Sequence, residues 1–121
     1  MERAEEKMSS ANLLFENNMF GDAISEAYYA MFHAAKSLLT LKDIHPKTHT
    51  DVVSQFGLQF VNDGLIEELY AKSLAKVQIR REKADYDIYY EPSEKEAESV
   101  IGDAEGFLER IKEAIKEVAK K

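Results

Sequence analysis

The segment spanning residues 78–87 contains the chain's densest group of side chains able to do chemistry. Arg80 and Arg81 are adjacent, and Asp85 follows Arg81 at the i, i+4 spacing that allows an ion pair along a helix. Tyr86 adds a phenol. Guanidinium groups suit phosphate and carboxylate ligands, although a buried arginine is often held in a structural ion pair instead. We therefore predict a polar cleft open to anions with these four side chains at its floor, and a structural ion-pair network is the alternative.

Three histidines could supply a group that titrates near neutral pH. His33 follows Phe32 in a long apolar segment, where a core or interface histidine is more common than a general base, so it is only a candidate base. His45 and His49 flank Pro46, and no cluster of acidic residues completes a metal shell around them. The sequence therefore predicts no metal site and no cofactor.

Composition limits the class of protein that can hold these residues. The chain has 121 residues, no cysteine, two prolines and five glycines, and its formal net charge is -7. Its length predicts one domain, and its low glycine and proline content favours helices over strands. The negative charge disfavours a general electrostatic attraction to nucleic acid, so any such contact would have to be local. We find no apolar run of roughly 18 residues that could span a membrane and expect a cytoplasmic protein.

Apolar periodicity predicts an all-α, up-and-down bundle of four long helices plus one short helix, forming a single domain over residues 1–121. The expected helices cover residues 2–16, residues 20–41, a short segment from Thr48 to residues 62–64, residues 65–86, and the chain after Ser93. The chain should turn between the first two helices at residues 20–22, where Gly21 tolerates the turn and Asp22 is the expected N-cap. The second helix is apolar on two faces and should be the central one. Tyr29 and Phe32 lie on its second face, which we expect other helices or a second subunit to cover.

Three segments also resemble a known family in order and spacing. They are GDAISEAYYAMFHA at residues 21–34, PKTH at residues 46–49 and REKADY at residues 81–86. The chain resembles prokaryotic HEPN-domain proteins, specifically a small branch with an A-D-Y signature. The resemblance implies a helical bundle, commonly dimeric, often encoded beside a minimal nucleotidyltransferase as the toxin half of a toxin–antitoxin pair. Active members are metal-independent ribonucleases whose motif is Arg, four to six residues, then His, with two copies meeting across a dimer cleft.

This chain departs from that ribonuclease motif, because positions 85–88 hold Asp, Tyr, Asp and Ile where the histidine would stand after Arg80 or Arg81. His33, from a neighbouring helix, is the candidate replacement, and Tyr29 joins the candidate ligand contacts. We predict a nucleotide- or RNA-associated homodimer that is the partner of a minimal nucleotidyltransferase and has a degenerate ribonuclease motif. The alternatives are an active endoribonuclease toxin that uses either arginine, and a non-catalytic helical interaction module.

Overall fold

A computed structural model describes residues 1–120. In this range the chain forms helices joined by short turns and loops: α1 (Glu2–Glu16), α2 (Phe20–Leu41), α3 (His49–Phe56), α4 (Glu68–Tyr86) and α5 (Glu94–Ala119). A π-helical turn, Gly57–Val61, continues α3. The predicted all-α architecture of four long helices and one short helix is confirmed. Among residues 1–120, no helix has the length and apolar character needed to cross a membrane.

The second helix, α2, is the centre of the bundle, because it contacts all four other helices. Tyr28, Met31 and Leu38 are among its fully buried side chains. Its buried alanines let the neighbouring helices approach closely. Tyr29 and Phe32 are partly buried and pack at the edge of this core. The two-faced apolar pattern therefore identified the central helix correctly, and the chain's own helices cover most of both faces.

The corner between α1 and α2 differs from the prediction. α2 begins at Phe20 with Met19 at its N-cap position, so Asp22 lies in the first turn and is not the cap. Gly21 lies inside the helix, and the residue with left-handed backbone is Asn18, at φ 61°. Asparagine adopts this conformation more readily than most residues, so it can make the turn without glycine.

The start of α4 was also predicted wrongly, since the helix begins at Glu68 rather than Leu65. Ile66 is 2% exposed and anchors the preceding segment in the core. Arg110 of α5 donates to the Leu65 carbonyl at 2.7 Å and pairs with Glu67 at 2.7 Å. These tertiary contacts hold the backbone at Glu67 extended, at ψ 143°, and so delay the helix.

Side chains cap the starts of α3 and α5, and the sequence predicts both of these caps, as it did the incorrect one at Asp22. The Thr48 hydroxyl accepts a hydrogen bond from the Asp51 amide at 3.0 Å at the start of α3. The Ser93 hydroxyl accepts one from the Glu96 amide at 3.1 Å at the start of α5. The Glu96 carboxylate does not complete a reciprocal capping box, because it accepts hydrogen bonds from other side chains.

Candidate functional site

Arg81 occupies a position that the pattern of α4 would give to an apolar residue. The buried residues of this helix are Leu74, Val77 and Arg81, which follow one helical stripe. The Arg81 side chain is 10% exposed. A charge removed this far from water needs partners inside the protein.

The guanidinium of Arg81 is only partly paired. Its Nη1 lies 3.4 Å from Asp85 Oδ2, so the i, i+4 pair expected from the sequence is present. This distance is long for a hydrogen bond between charged groups. The other oxygen of Asp85 accepts a hydrogen bond from the hydroxyl of Ser25 on α2. The Arg81 Nε is buried and has no hydrogen-bond partner within residues 1–120. Asp85 therefore neutralises part of the guanidinium charge and accepts from Nη1, but it leaves Nε without an acceptor.

Aromatic rings of α2 supply the rest of the environment of this guanidinium. The Arg81 Cζ lies 5.1 Å from the ring centroid of Tyr28 and 5.7 Å from that of Tyr29. Lys7 Nζ lies 5.9 Å from the Tyr29 centroid. Cations at these distances are attracted by the negative face of the ring. The rings thus hold positive charge at the site without consuming hydrogen-bond donors.

His49 joins this group from the first residue of α3, where the Thr48 cap fixes the backbone. Its Nδ1 lies 2.8 Å from the Tyr28 hydroxyl. Its ring stacks on Phe32 with centroids 4.2 Å apart and an interplanar angle of 17°. We call the following residues the Arg81 cluster: Tyr28, Tyr29, Phe32, His49, Arg81 and Asp85.

The protonation of the Tyr28–His49 pair follows from burial and charge. Burial of the ring, with the charges of Arg81 and Lys36, lowers the pKa of His49 below its ordinary value. Burial raises the pKa of Tyr28 to about 12. At neutral pH the phenol and the imidazole are therefore both uncharged, and the direction of the hydrogen bond between them depends on the tautomer of His49.

The structure separates Arg80 from Arg81. Successive residues of an α-helix point about 100° apart, and Arg80 points toward α5, where its Nη1 lies 3.4 Å from Glu96 Oε2. The Tyr90 hydroxyl donates to the same Glu96 oxygen. Arg80 is thus held in a structural contact between α4 and the start of α5.

Tyr86 and Arg81 share an open groove of about 850 Å³ at the carboxyl end of α4. Tyr86 is 76% exposed. The residues lining this groove are Ile79, Arg81, Glu82, Lys83, Tyr86, Asp87, Ile88 and Tyr89. Arg80 and Asp85 are not among these lining residues, so the predicted four-residue floor is divided between the groove, the Arg81 cluster and the contact with α5.

His33 lies one ring away from the Arg81 cluster. Its ring centroid is 5.3 Å from that of Phe32, on which His49 also stacks. Burial, with the charges of Arg3 and Lys36 among others, lowers the pKa of His33. His33 lines a different pocket from the groove that Arg81 lines. It is therefore a neighbour of the Arg81 cluster and not one of its members.

The sequence interpretation considered His49 only as a metal ligand and so missed its place beside Tyr28. Among the described residues, no group of three metal-binding side chains lies close enough to hold an ion. The one signal that could have identified His49 was the segment PKTH, which carries part of the family resemblance. Its approach to α2 depends on how the loop before Thr48 folds, and periodicity does not report this.

Comparison with known proteins gives a consistent assignment. The model of the HEPN domain family matches residues 1–114. A protein of Methanocaldococcus jannaschii is 51% identical over 118 residues, covering 98% of this chain and 87% of that protein. A second protein of that organism is 30% identical over 112 residues, covering 93% and 76%. Both carry the name "putative toxin". A Pyrococcus horikoshii protein named as a UPF0332 protein is 60% identical over 70 residues, covering 58% of this chain and 49% of that protein.

Proposed function

The chain belongs to the HEPN domain family, in a toxin-like branch, and on that premise we propose that it is a nucleotide- or RNA-associated component of a two-protein toxin–antitoxin pair. Its partner in this proposal is a minimal nucleotidyltransferase, and its site is the Arg81 cluster. The observation that carries the proposal is the incompletely paired guanidinium of Arg81, buried against two tyrosine rings.

A phosphate group supplies what this guanidinium lacks. It brings negative charge and acceptor oxygens in the geometry that a guanidinium fork binds well. Nucleotides also carry bases, which stack on aromatic side chains such as the partly exposed Tyr29. The formal charge of -7 makes a general attraction weak, so binding depends on this local arrangement.

The adjacent arginines provide a matched test of ligand binding. We expect Arg81→Met to weaken the binding of short RNA or nucleotides by about 2 kcal/mol, roughly 30-fold, because charged hydrogen bonds to phosphate are lost. Arg80→Met removes the same charge from the same helix but faces Glu96, and should change affinity little. Isothermal titration calorimetry at low and moderate salt measures both. Equal losses in the two variants, or no binding by the wild type, would contradict the site.

Catalysis by the isolated protein is expected to be weak or absent. The histidine of the family motif is replaced at positions 85–88. His49 is the histidine in contact with Tyr28, beside Arg81, but its Nδ1 is already engaged in a hydrogen bond with the Tyr28 hydroxyl. A general base needs a free lone pair directed at the substrate hydroxyl, so this pair favours binding over proton abstraction.

An active, metal-independent ribonuclease is the second candidate, and it is favoured because His49 and Arg81 contact the same two rings, Tyr28 and Tyr29. It requires His49 to present a free lone pair to the substrate when RNA binds. Incubation with mixed RNA in chelator tests this, using His49→Gln against the control His45→Gln, which alters an exposed histidine paired with Asp43. Cleavage that survives chelation and is lost in His49→Gln and Arg81→Met, but not in His45→Gln, would establish the ribonuclease instead of our first proposal.

We propose that a second copy of the chain covers the exposed apolar strip that lines the groove. Ile79, Tyr86, Ile88 and Tyr89 form this strip, and each is at least 62% exposed. Such patches mark association surfaces, and a dimer here would bring two Arg81 clusters toward a common cleft, as the family resemblance implies. Light scattering should give twice the monomer mass of 13.8 kDa. Ile88→Asp should yield monomers, and a monomeric wild type at tens of micromolar would overturn the dimer.

A further inference from the structure

A second group of cations lies outside the Arg81 cluster, where the start of α1 meets the second half of α2. It lines a pocket of about 450 Å³. The lining residues, called the Lys36 pocket below, are Met1, Glu2, Arg3, His33, Lys36, Ser37 and Thr40. No part of the proposed function above uses this pocket.

The basic side chains of the Lys36 pocket are available to a ligand. Within residues 1–120, neither Arg3 nor Lys36 forms an ion pair, whereas Lys7, Arg80 and Arg110 do. Glu2 is the carboxylate among the lining residues. The Met1 amino group donates to the Ser37 hydroxyl at 3.1 Å. The pocket therefore concentrates positive charge in a protein whose overall charge is negative.

The pocket and the Arg81 cluster are connected through Phe32. Lys36 Nζ lies 5.6 Å from the Phe32 centroid, and His49 stacks on the same ring. The positive charge of Lys36 also helps to lower the pKa values of both His33 and His49, so its field reaches both sites. Phe32 of α2 thus contacts both the Lys36 pocket and the Arg81 cluster.

The separation between the groups indicates the kind of ligand. At 1.5 Å of rise per residue, Tyr28 and Lys36 are about 12 Å apart along α2. The phosphate of one mononucleotide cannot contact both places at once, whereas successive phosphates of a strand can. Partly buried aromatic side chains between two cationic positions are typical of surfaces that bind single strands.

We propose that the Lys36 pocket is a second phosphate subsite, which binds a backbone phosphate of a single-stranded RNA whose other end lies at Arg81. This inference rests on the proposed function, because it extends the ligand of the Arg81 cluster from a nucleotide to a strand of several nucleotides. Arg3 and Lys36 supply the charge, and the pocket contributes no base recognition.

Length-dependent binding tests the subsite. Fluorescence anisotropy with labelled oligouridylates, from a dinucleotide to a decamer, should show affinity rising with length in the presence of chelator. Lys36→Met and Arg3→Met should each weaken the decamer about tenfold and leave the dinucleotide unchanged. Each should also make the dependence of affinity on salt shallower, by about one unit of log–log slope. Lys72→Met, which removes an exposed lysine paired with Glu68, is the control and should change neither affinity nor slope.

The His33 ring provides a second, independent measurement. A phosphate in the pocket should raise its pKa toward the ordinary value when the decamer is bound, as followed by NMR. The chemical shifts of the exposed His45 ring should not move when the decamer binds. A parallel titration with inorganic triphosphate tests whether the pocket binds free phosphate instead of an RNA strand. If it moves the His33 resonances as strongly as RNA at equal phosphate concentration, the pocket binds free phosphates and the strand assignment is overturned.

Failure of the subsite and failure of the proposed function give different results. If Arg81→Met weakens all oligonucleotides while Lys36→Met and Arg3→Met weaken none, the Arg81 site stands and the second subsite is overturned. If the wild type binds neither oligonucleotides nor nucleotides, both fail, whereas binding of nucleotides alone overturns the subsite and leaves the Arg81 site. Circular dichroism confirms that each variant is folded before it is compared.

Discussion

Two nearly buried arginines of this bundle are used in opposite ways. The Arg110 side chain is 13% exposed and that of Arg81 is 10% exposed. Arg110 donates to both carboxylate oxygens of Glu67, at 2.7 and 3.2 Å, and to the Leu65 carbonyl at 2.7 Å. Arg81 has one hydrogen bond, at 3.4 Å to Asp85. The Nη1 of Arg110 also lacks a hydrogen-bond partner within residues 1–120, but Glu113 and Glu117 lie 3.9 and 3.8 Å from it. Arg110 thus has three carboxylates around it and Arg81 has one, and this sparser pairing supports our proposal that Arg81 binds a ligand.

The largest effect that the comparison predicts is on stability at Arg110. Arg110→Met should lower the free energy of unfolding by about 3 kcal/mol, because Glu67 and the Leu65 carbonyl lose their charged partner. Urea denaturation measures this, with Arg3→Met as a surface control expected within about 0.5 kcal/mol of wild type. A loss below about 1 kcal/mol would show that Arg110 does not anchor the segment before α4.

A smaller effect is expected at Arg81, and it decides whether the comparison is correct. Arg81→Met should change the free energy of unfolding by no more than about 1 kcal/mol, because removing a poorly paired buried charge offsets the lost ion pair. Asp85 keeps its hydrogen bond from Ser25 and its contact with water. Destabilisation as large as that of Arg110→Met would make Arg81 a structural ion pair and would remove the basis of the site.

The smallest expected effect is on pH dependence. The folded-state pKa of His49 lies below its ordinary value near 6.5, so the unfolded chain takes up the proton first as the pH falls. Stability from the neutral ring is therefore complete above about pH 6.5 and is lost as the pH falls through the lowered value. NMR titration should show the low His49 pKa. Arg81→Met should raise it toward 6.5, while Arg80→Met should not, and equal shifts would contradict the assigned geometry.

The helices were predictable because their signals are local. Apolar periodicity located α2 and α5, and the hydroxyls of Thr48 and Ser93 cap the helices that they precede. The start of α4 was not predictable, because Arg110, more than forty residues away, determines the backbone at Leu65. Local sequence cannot report a contact of that separation.

The candidate site divides in the same way. The pairing of Arg81 with Asp85 followed from helical spacing, and the divergence of Arg80 follows from the rotation per residue. The position of His49 did not follow from the sequence, because it depends on the loop that returns the chain to α2. The Lys36 pocket combines residues of α1 and α2 whose approach only the folded bundle establishes.

The shared carboxylate of Glu96 has a consequence for association. Because Arg80 and the Tyr90 hydroxyl both donate to it, a side-chain bridge closes the chain between α4 and α5 into a ring. Such a closure removes much of the conformational entropy that a free connection would have. Ile88 and Tyr89, at the exposed side of this ring, are therefore preorganised before any partner arrives. A surface ordered in advance loses less freedom on binding, so more of its contact energy appears as affinity.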